Sequence, residues 1–221
     1  MFLSYKYKFL FVHIAKTGGT SVRVSLQRER YRDVYQIPLW ICSRLSGWTG
    51  HRLGIKFPRH AKIIAAKEML PDVFFNSLFK FAFVRNPWDL QVSSFHHIQR
   101  ERPQLLRGID NFEQFLKWKM NPERPYQYHI DTSMELQTDY LIDLKGRVLT
   151  DFLGHYENLQ EDFDTICERV VIPKRKLPHR RQAKDRQAYR QYYTDETAEL
   201  VRRWFERDIE EFKYDFDRGK L

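Results

Sequence analysis

A chain of 221 residues can bury a substantial core and suits one α/β domain. Its 42% hydrophobic and 15% aromatic content excludes intrinsic disorder, and no apolar run approaches the ~20 residues of a membrane helix. A net charge of +9 directs it to anionic partners, and two cysteines without a Cys-x-x-Cys pattern argue against a zinc ribbon or disulfide framework and for a reducing, cytoplasmic setting.

The first element is the apolar run Phe9-Leu10-Phe11-Val12-His13-Ile14-Ala15, a buried strand by its aromatic and branched content. Lys6 and Lys8 precede it as in a signal peptide, but it contains His13 and runs into Lys16 and glycines instead of a small-residue cleavage site. Helical spacing begins at Thr20, with Val22 and Leu26 four apart. Between strand and helix stands Lys16-Thr17-Gly18-Gly19-Thr20-Ser21. A helix N-terminus presents backbone N–H groups to anions, and glycines let the ligand approach the backbone. Lys16 adds charge, while Thr17, Thr20 and Ser21 add hydroxyl donors. The stretch is therefore an anion cradle, but not a Walker A loop, whose lysine follows its glycines.

The helix is expected to end within 27–32. Residues 35–57 lack clean periodicity, and Ser46-Gly47, Thr49-Gly50 and Gly54 mark loops, with Trp40 and Trp48 expected to pack the core in preference to lining a sugar site. Arg44, Arg52, Lys56, Arg59 and Lys62 accumulate here, suited to an acidic acceptor. His60, after Pro58, enters a short apolar-periodic element over 63–70 that stops at Pro71. A second strong strand, 78–84, delivers Arg85-Asn86-Pro87-Trp88-Asp89. Asn86 is then a helix N-cap with Pro87 at the first helical position, and Trp88, Val92, Phe95 and Gln99 mark the helix. Arg85 lies at the carboxyl end of a strand, where α/β sheets bind ligands, and Ser93 lies two turns into the helix. His96 and His97 read as packing or surface residues.

Further along, Asp110-x-x-Glu113 opens a helix to 119 that buries Phe112, Phe115 and Leu116. Tyr126, Tyr128 and Gln137 are groups of the kind that bind sugars. Segments 140–144 and 148–153 read as two strands across Lys145-Gly146. Asn158-x-x-Glu161 caps a core helix carrying Leu159, Phe163, Ile166 and Val170, with Cys167 as packing. Residues 173–190 are the strongest basic run, and a last helix begins at 192–196 and docks through Ala198, Val201, Phe205 and Phe212.

The Lys16–Ser21 stretch resembles the 5′-phosphosulfate loop of sulfotransferases that use 3′-phosphoadenosine-5′-phosphosulfate (PAPS), above all the carbohydrate sulfotransferases. Phe-Val-Arg-Asn-Pro-Trp-Asp, with a serine eight residues after the arginine, resembles that family's 3′-phosphate motif. Gly154-His155-Tyr156-Glu157-Asn158-Leu159 is similar to a further segment, with histidine where the family commonly has arginine. The resemblance implies a three-layer α/β sandwich with a central parallel sheet, related to nucleotide kinases, as one domain over 1–221. It implies PAPS bound by Lys16, Thr17, Gly18, Gly19, Thr20, Ser21, Arg85 and Ser93, with Arg180 and Arg181 in a loop closing over the nucleotide. It further implies His60 as general base, Lys16 as the charge-stabilising group, no metal, and a hydroxyl acceptor on a glycan, not a nucleic acid. Two other classes remain at this point: a magnesium-dependent kinase on a similar fold, and a non-enzymatic polyanion-binding module.

Overall fold

A computed structural model describes residues 1–30, 33–49, 57–178, 187–217 and 219–220. Along the chain run β1 (Phe2–Ser4), β2 (Phe9–Val12), α1 (Gly19–Arg30), α2 (Gln36–Thr49), α3 (Ile63–Met69), α4 (Asp72–Ser77), β3 (Phe79–Val84) and α5 (Pro87–Glu101). Then follow α6 (Phe112–Lys119), α7 (Tyr128–Asp131), β4 (Phe152–His155), α8 (Leu159–Arg169), α9 (Asp195–Trp204), α10 (Glu206–Phe212) and the short hairpin β5 (Tyr214–Asp215) and β6 (Gly219–Lys220). The main sheet has the order β1-β2-β3-β4, with β1 antiparallel to β2 and β2 parallel to β3. The chain divides into two compact units, one of Met1–Ile14, Gly18–Phe83 and Tyr140–Pro178, the other of Ala15–Thr17, Val84–Asp139 and His179–Leu221.

In the first unit the period-two pattern of β2 and β3 builds an aromatic ladder. Phe11 pairs in register with Phe81, the rings 5.3 Å apart and nearly parallel, and meets Phe83 edge-on at 6.3 Å. Phe9, Phe11, Phe81 and Phe83 pack with Val22 and Leu26 of α1 and Phe163, Ile166 and Cys167 of α8. Leu10, Val12 and Ala82, which point the other way, are equally buried, so both faces of the two central strands are covered, the usual state of parallel strands. Burial pushes the Cys167 thiol up to about 12, as befits packing.

Four sequence expectations are corrected in this unit. Residues 36–49 form a helix, α2, where loops were expected. The hydroxyls of Ser46 and Thr49 return to the carbonyls of Cys42 and Leu45 (both 2.8 Å) and keep the turn helical through Ser46-Gly47. Trp40 and Trp48 are exposed instead of packed. The two strands expected over 140–153 reduce to one bridge, Ile142 to Val148, before β4 begins at Phe152. Asp143 explains this: its carboxylate accepts from the N–H groups of Lys145 (2.9 Å) and Arg147 (3.0 Å) and folds the chain into a turn. Asn158 makes no side-chain cap on α8. Asp162 instead reaches back to the His155 N–H at 2.6 Å.

In the second unit, Asn86 caps α5 as expected, its side chain accepting from the N–H groups of Trp88 and Asp89. Ile98, not Gln99, completes the buried stripe of Trp88, Val92 and Phe95. The cap of α6 shifts by one residue to Asn111, which accepts from Gln114 N–H at 2.9 Å. The last helix is two: a Thr194–Thr197 capping box starts α9, and the chain turns at the buried Phe205 into α10. Val201 and Phe212 are buried with it, as their spacing predicts, whereas Ala198 is only half-buried.

Candidate functional site

The first unit holds the end of β2, the start of α1 and His60. Gly18 has a φ of +77°, and a Cβ there would lie 2.7 Å from Leu159 Cδ2. A Cβ at Gly19 would fall 2.2 Å from His13 Cδ2. Close packing thus requires both glycines, and Gly18 is needed for its left-handed backbone as well. His13 is 3% exposed, and its ring stacks on Phe11 at 5.5 Å. The His60 ring lies 4.7 Å from the His13 ring, and His60 Nδ1 is 2.8 Å from the His13 carbonyl oxygen. A carbonyl can only accept, so Nδ1 carries the proton and the neutral ring presents a lone pair at Nε2. Burial lowers the pKa of half-buried His60, partly countered by the His13 carbonyl bond, and keeps the ring neutral at pH 7. Burial and then the neighbouring His60 hold His13 well below the usual histidine range. Ser21 is buried and Thr20 half-buried in the first turn of α1, where Ser21 N–H bonds the Gly18 carbonyl at 2.9 Å.

The second unit by itself holds Lys16, Thr17, Arg85 and Ser93. Lys16 has a φ of +68°, a left-handed conformation that costs a non-glycine residue about 1 kcal/mol or more. Such strain persists only where the surroundings hold it. Arg85 supplies that hold: its Nη1 donates to the Lys16 carbonyl at 2.9 Å, and its Nε and Nη2 both meet Asp89 Oδ2 at 2.7 Å. The arginine's own backbone is clamped in both directions by Gln137. Its N–H donates to Gln137 Oε1 and its carbonyl accepts from Gln137 Nε2, both at 2.9 Å. Gln137 is in turn fixed by Asp208 of α10, whose carboxylate accepts from Gln137 N–H (2.7 Å), Thr138 N–H (2.9 Å) and the Thr138 hydroxyl (2.6 Å). Burial raises the Asp208 pKa, and these hydrogen bonds draw it back. Ser93 is half-buried on α5. Its neighbours Gln91 and Ser94 face inward, where the fully buried Lys119 ammonium donates to them at 2.6 and 3.0 Å. His96 is a packing residue, hydrogen-bonded to the Tyr192 hydroxyl at 2.8 Å.

Of the residues the sequence singles out, the structure therefore joins Lys16 to Arg85 and joins His60 to the glycine turn through His13. Arg85 is 2% exposed and braces the loop in addition to any role toward a ligand. Thr17 is buried. Arg180 and Arg181 lie outside the described residues. Gln137, expected among sugar-binding groups, is instead the buried clamp on Arg85. The parts that sequence reasoning missed are His13, Asp89 and Asp208. Asp89 had a signal, the four-residue spacing from Arg85 in a helix N-terminus. His13 had only its polarity within an apolar run, and Asp208 had none. Among the described residues no group of three His, Cys, Asp or Glu is placed to hold a metal ion, and no helix is long and apolar enough to cross a membrane.

A mixed α/β sheet with a glycine turn between its central strand and the first helix is the class of protein this geometry defines. Comparison with known families narrows it: the profile of the Sulfotransferase family matches residues 1–215, and the chain belongs to that family. An uncharacterized protein of Archaeoglobus fulgidus is 31% identical over 101 residues, covering 45% of this chain and 72% of that protein. No solved structure matches.

Proposed function

We propose that this sulfotransferase takes its sulfuryl group from PAPS and delivers it to a hydroxyl on a carbohydrate, acting in the cytoplasm as one three-layer domain over 1–221 and without a metal. Family membership supports sulfuryl transfer, and the two phosphate motifs support PAPS as donor. The net charge of +9 is compatible with an acidic glycan as acceptor. The residues present fit such a donor. Gly18 and Gly19 carry no side chain to stand between the turn's backbone and anionic oxygens, and Lys16 and the α1 N-terminus add positive potential.

The observation that carries the mechanism is the tautomer of His60, neutral and with its lone pair at Nε2. In the proposed in-line reaction Nε2 takes the acceptor's proton as its oxygen bonds to sulfur. The bond from sulfur to the bridging phosphate oxygen breaks, and the electron pair leaves with the phosphate. Lys16 and the N–H groups at Gly18–Thr20 stabilise that growing charge. Arg85 and Ser93 hold the 3′-phosphate, and Arg180 and Arg181 close over the nucleotide.

The test is transfer of radiolabelled sulfate from PAPS to a panel of desulfated glycosaminoglycans and simple sugars. Wild-type protein labels at least one acceptor, and Lys16→Ala and His60→Ala each lower turnover by ~10²-fold or more. Near-normal turnover of Lys16→Ala at saturating donor contradicts the assigned role.

A further inference from the structure

Helix α2 is turned inside out. With 3.6 residues per turn, Ile37, Trp40, Ile41, Arg44, Leu45 and Trp48 fall within an arc of about 140°. All are exposed: Trp48 at 86%, Ile37 at 67% and Trp40 at 53% lead the stripe. The opposite side, carrying Leu39, Cys42 and Ser46, is the partly buried one. An amphipathic helix that packs its weaker face inward and presents its apolar face to solvent has a second surface to cover.

Charge identifies that surface. From residue 34 to residue 67 the chain has six basic residues, Arg44, Arg52, Lys56, Arg59, Lys62 and Lys67, and no acidic one. The Arg44 guanidinium lies over Trp40, 5.1 Å from its ring centroid, which places a positive charge on the stripe itself. We propose that α2 docks on a membrane surface containing anionic lipid, with its apolar stripe at the headgroup–acyl boundary and Arg44 on lipid phosphates; Arg52 and Lys56 lie outside the described residues, and Lys67 pairs with Asp143 at 3.5 Å. Tryptophan and arginine are the residues suited to that boundary. The helix has 14 residues and is about 21 Å long, so it lies in the plane of the surface without spanning it. A second copy of the chain would bring two uniformly basic stretches against each other. A glycan would pair single aromatic rings with polar groups, whereas this stripe is apolar along its whole length apart from Arg44. The inference is independent of the donor and acceptor proposed above.

Flotation of the full chain with vesicles tests it, comparing phosphatidylcholine alone with mixtures containing phosphatidylglycerol. The protein is expected to float with the anionic vesicles, less so at high salt. The Trp40→Ser/Trp48→Ser double variant is expected to bind at least about tenfold more weakly, since both large rings leave the apolar stripe. Its thermal midpoint is expected to stay at the wild-type value, because neither ring is in the core. In the wild type itself, brominated lipid should quench tryptophan fluorescence. The proposal is overturned by no flotation with either vesicle or by equal flotation of wild type and variant. It is likewise overturned if wild type fails to float but forms a dimer, or binds a sulfated glycan, in a manner the double variant abolishes.

Discussion

Strand β2 and helix α2 are both rich in large apolar residues, yet Phe9, Leu10, Phe11 and Val12 are fully buried while Ile37, Trp40 and Trp48 face solvent. The difference lies in their neighbours. The strand is flanked by β1 and β3 and takes α1 and α8 against its aromatic face, so its apolar content builds the core. The outward face of the helix is exposed among the described residues. Apolar composition thus reports a demand for burial, and topology decides whether the chain or something else meets it.

Phe11→Ala presses hardest on this contrast. It should lose ~3–5 kcal/mol of stability by chemical denaturation, as cavities in aromatic cores do. His60→Ala comes next, with the ~10²-fold loss of turnover expected of a general base and an unfolding curve close to wild type. Gly19→Ala should lose ~1–3 kcal/mol as its new Cβ meets the His13 ring, and should weaken donor binding with it. A smaller effect follows from the lowered pKa values of His13 and His60. The unfolded chain takes up protons on these rings below pH ~6.5 while the native chain resists, so stability falls as the pH drops below that value. His13→Phe keeps a ring against the turn and should flatten this dependence in unfolding measured between pH 7 and 5. At the other end, Trp48→Ser should change stability by no more than about 0.5 kcal/mol. A large loss there would mean that α2 does contribute its apolar face to the fold.

The sequence was most legible where local chemistry and tertiary role agree. Alternating aromatics marked β2 and β3, Asn86-Pro87 marked the start of α5, and the Phe163–Ile166–Val170 stripe marked α8. It was illegible where a distant group decides. The apolar stripe of α2 has helical spacing, but Ser46-Gly47 within the helix reads as a loop, and nothing in the pattern says that this face turns outward. The expected hairpin over 140–153 yields to a single carboxylate, Asp143, whose bonds to the backbone are local but whose preference for a turn over a ladder is not written in the flanking pattern. In the candidate site, Lys16, the glycines, His60 and Arg85 were visible as residue types in motif spacing. Their support was not. The left-handed Lys16, the Arg85 bond to its carbonyl, the Gln137 clamp and its anchor on Asp208 join residues up to 71 positions apart, and no periodicity records such pairings. Likewise the His13 carbonyl that sets the His60 tautomer lies 47 residues away.

The central claim is that the braced Lys16 loop and Arg85 together form a site for a nucleotide carrying phosphate at both ends. Titration calorimetry with adenosine 3′,5′-bisphosphate and with ATP, both without magnesium, tests it most directly. The account predicts selective binding of the bisphosphate, lost in Arg85→Ala and weakened in Lys16→Ala. Equal binding of the two nucleotides, or no binding of the bisphosphate by the folded wild-type protein, would contradict it.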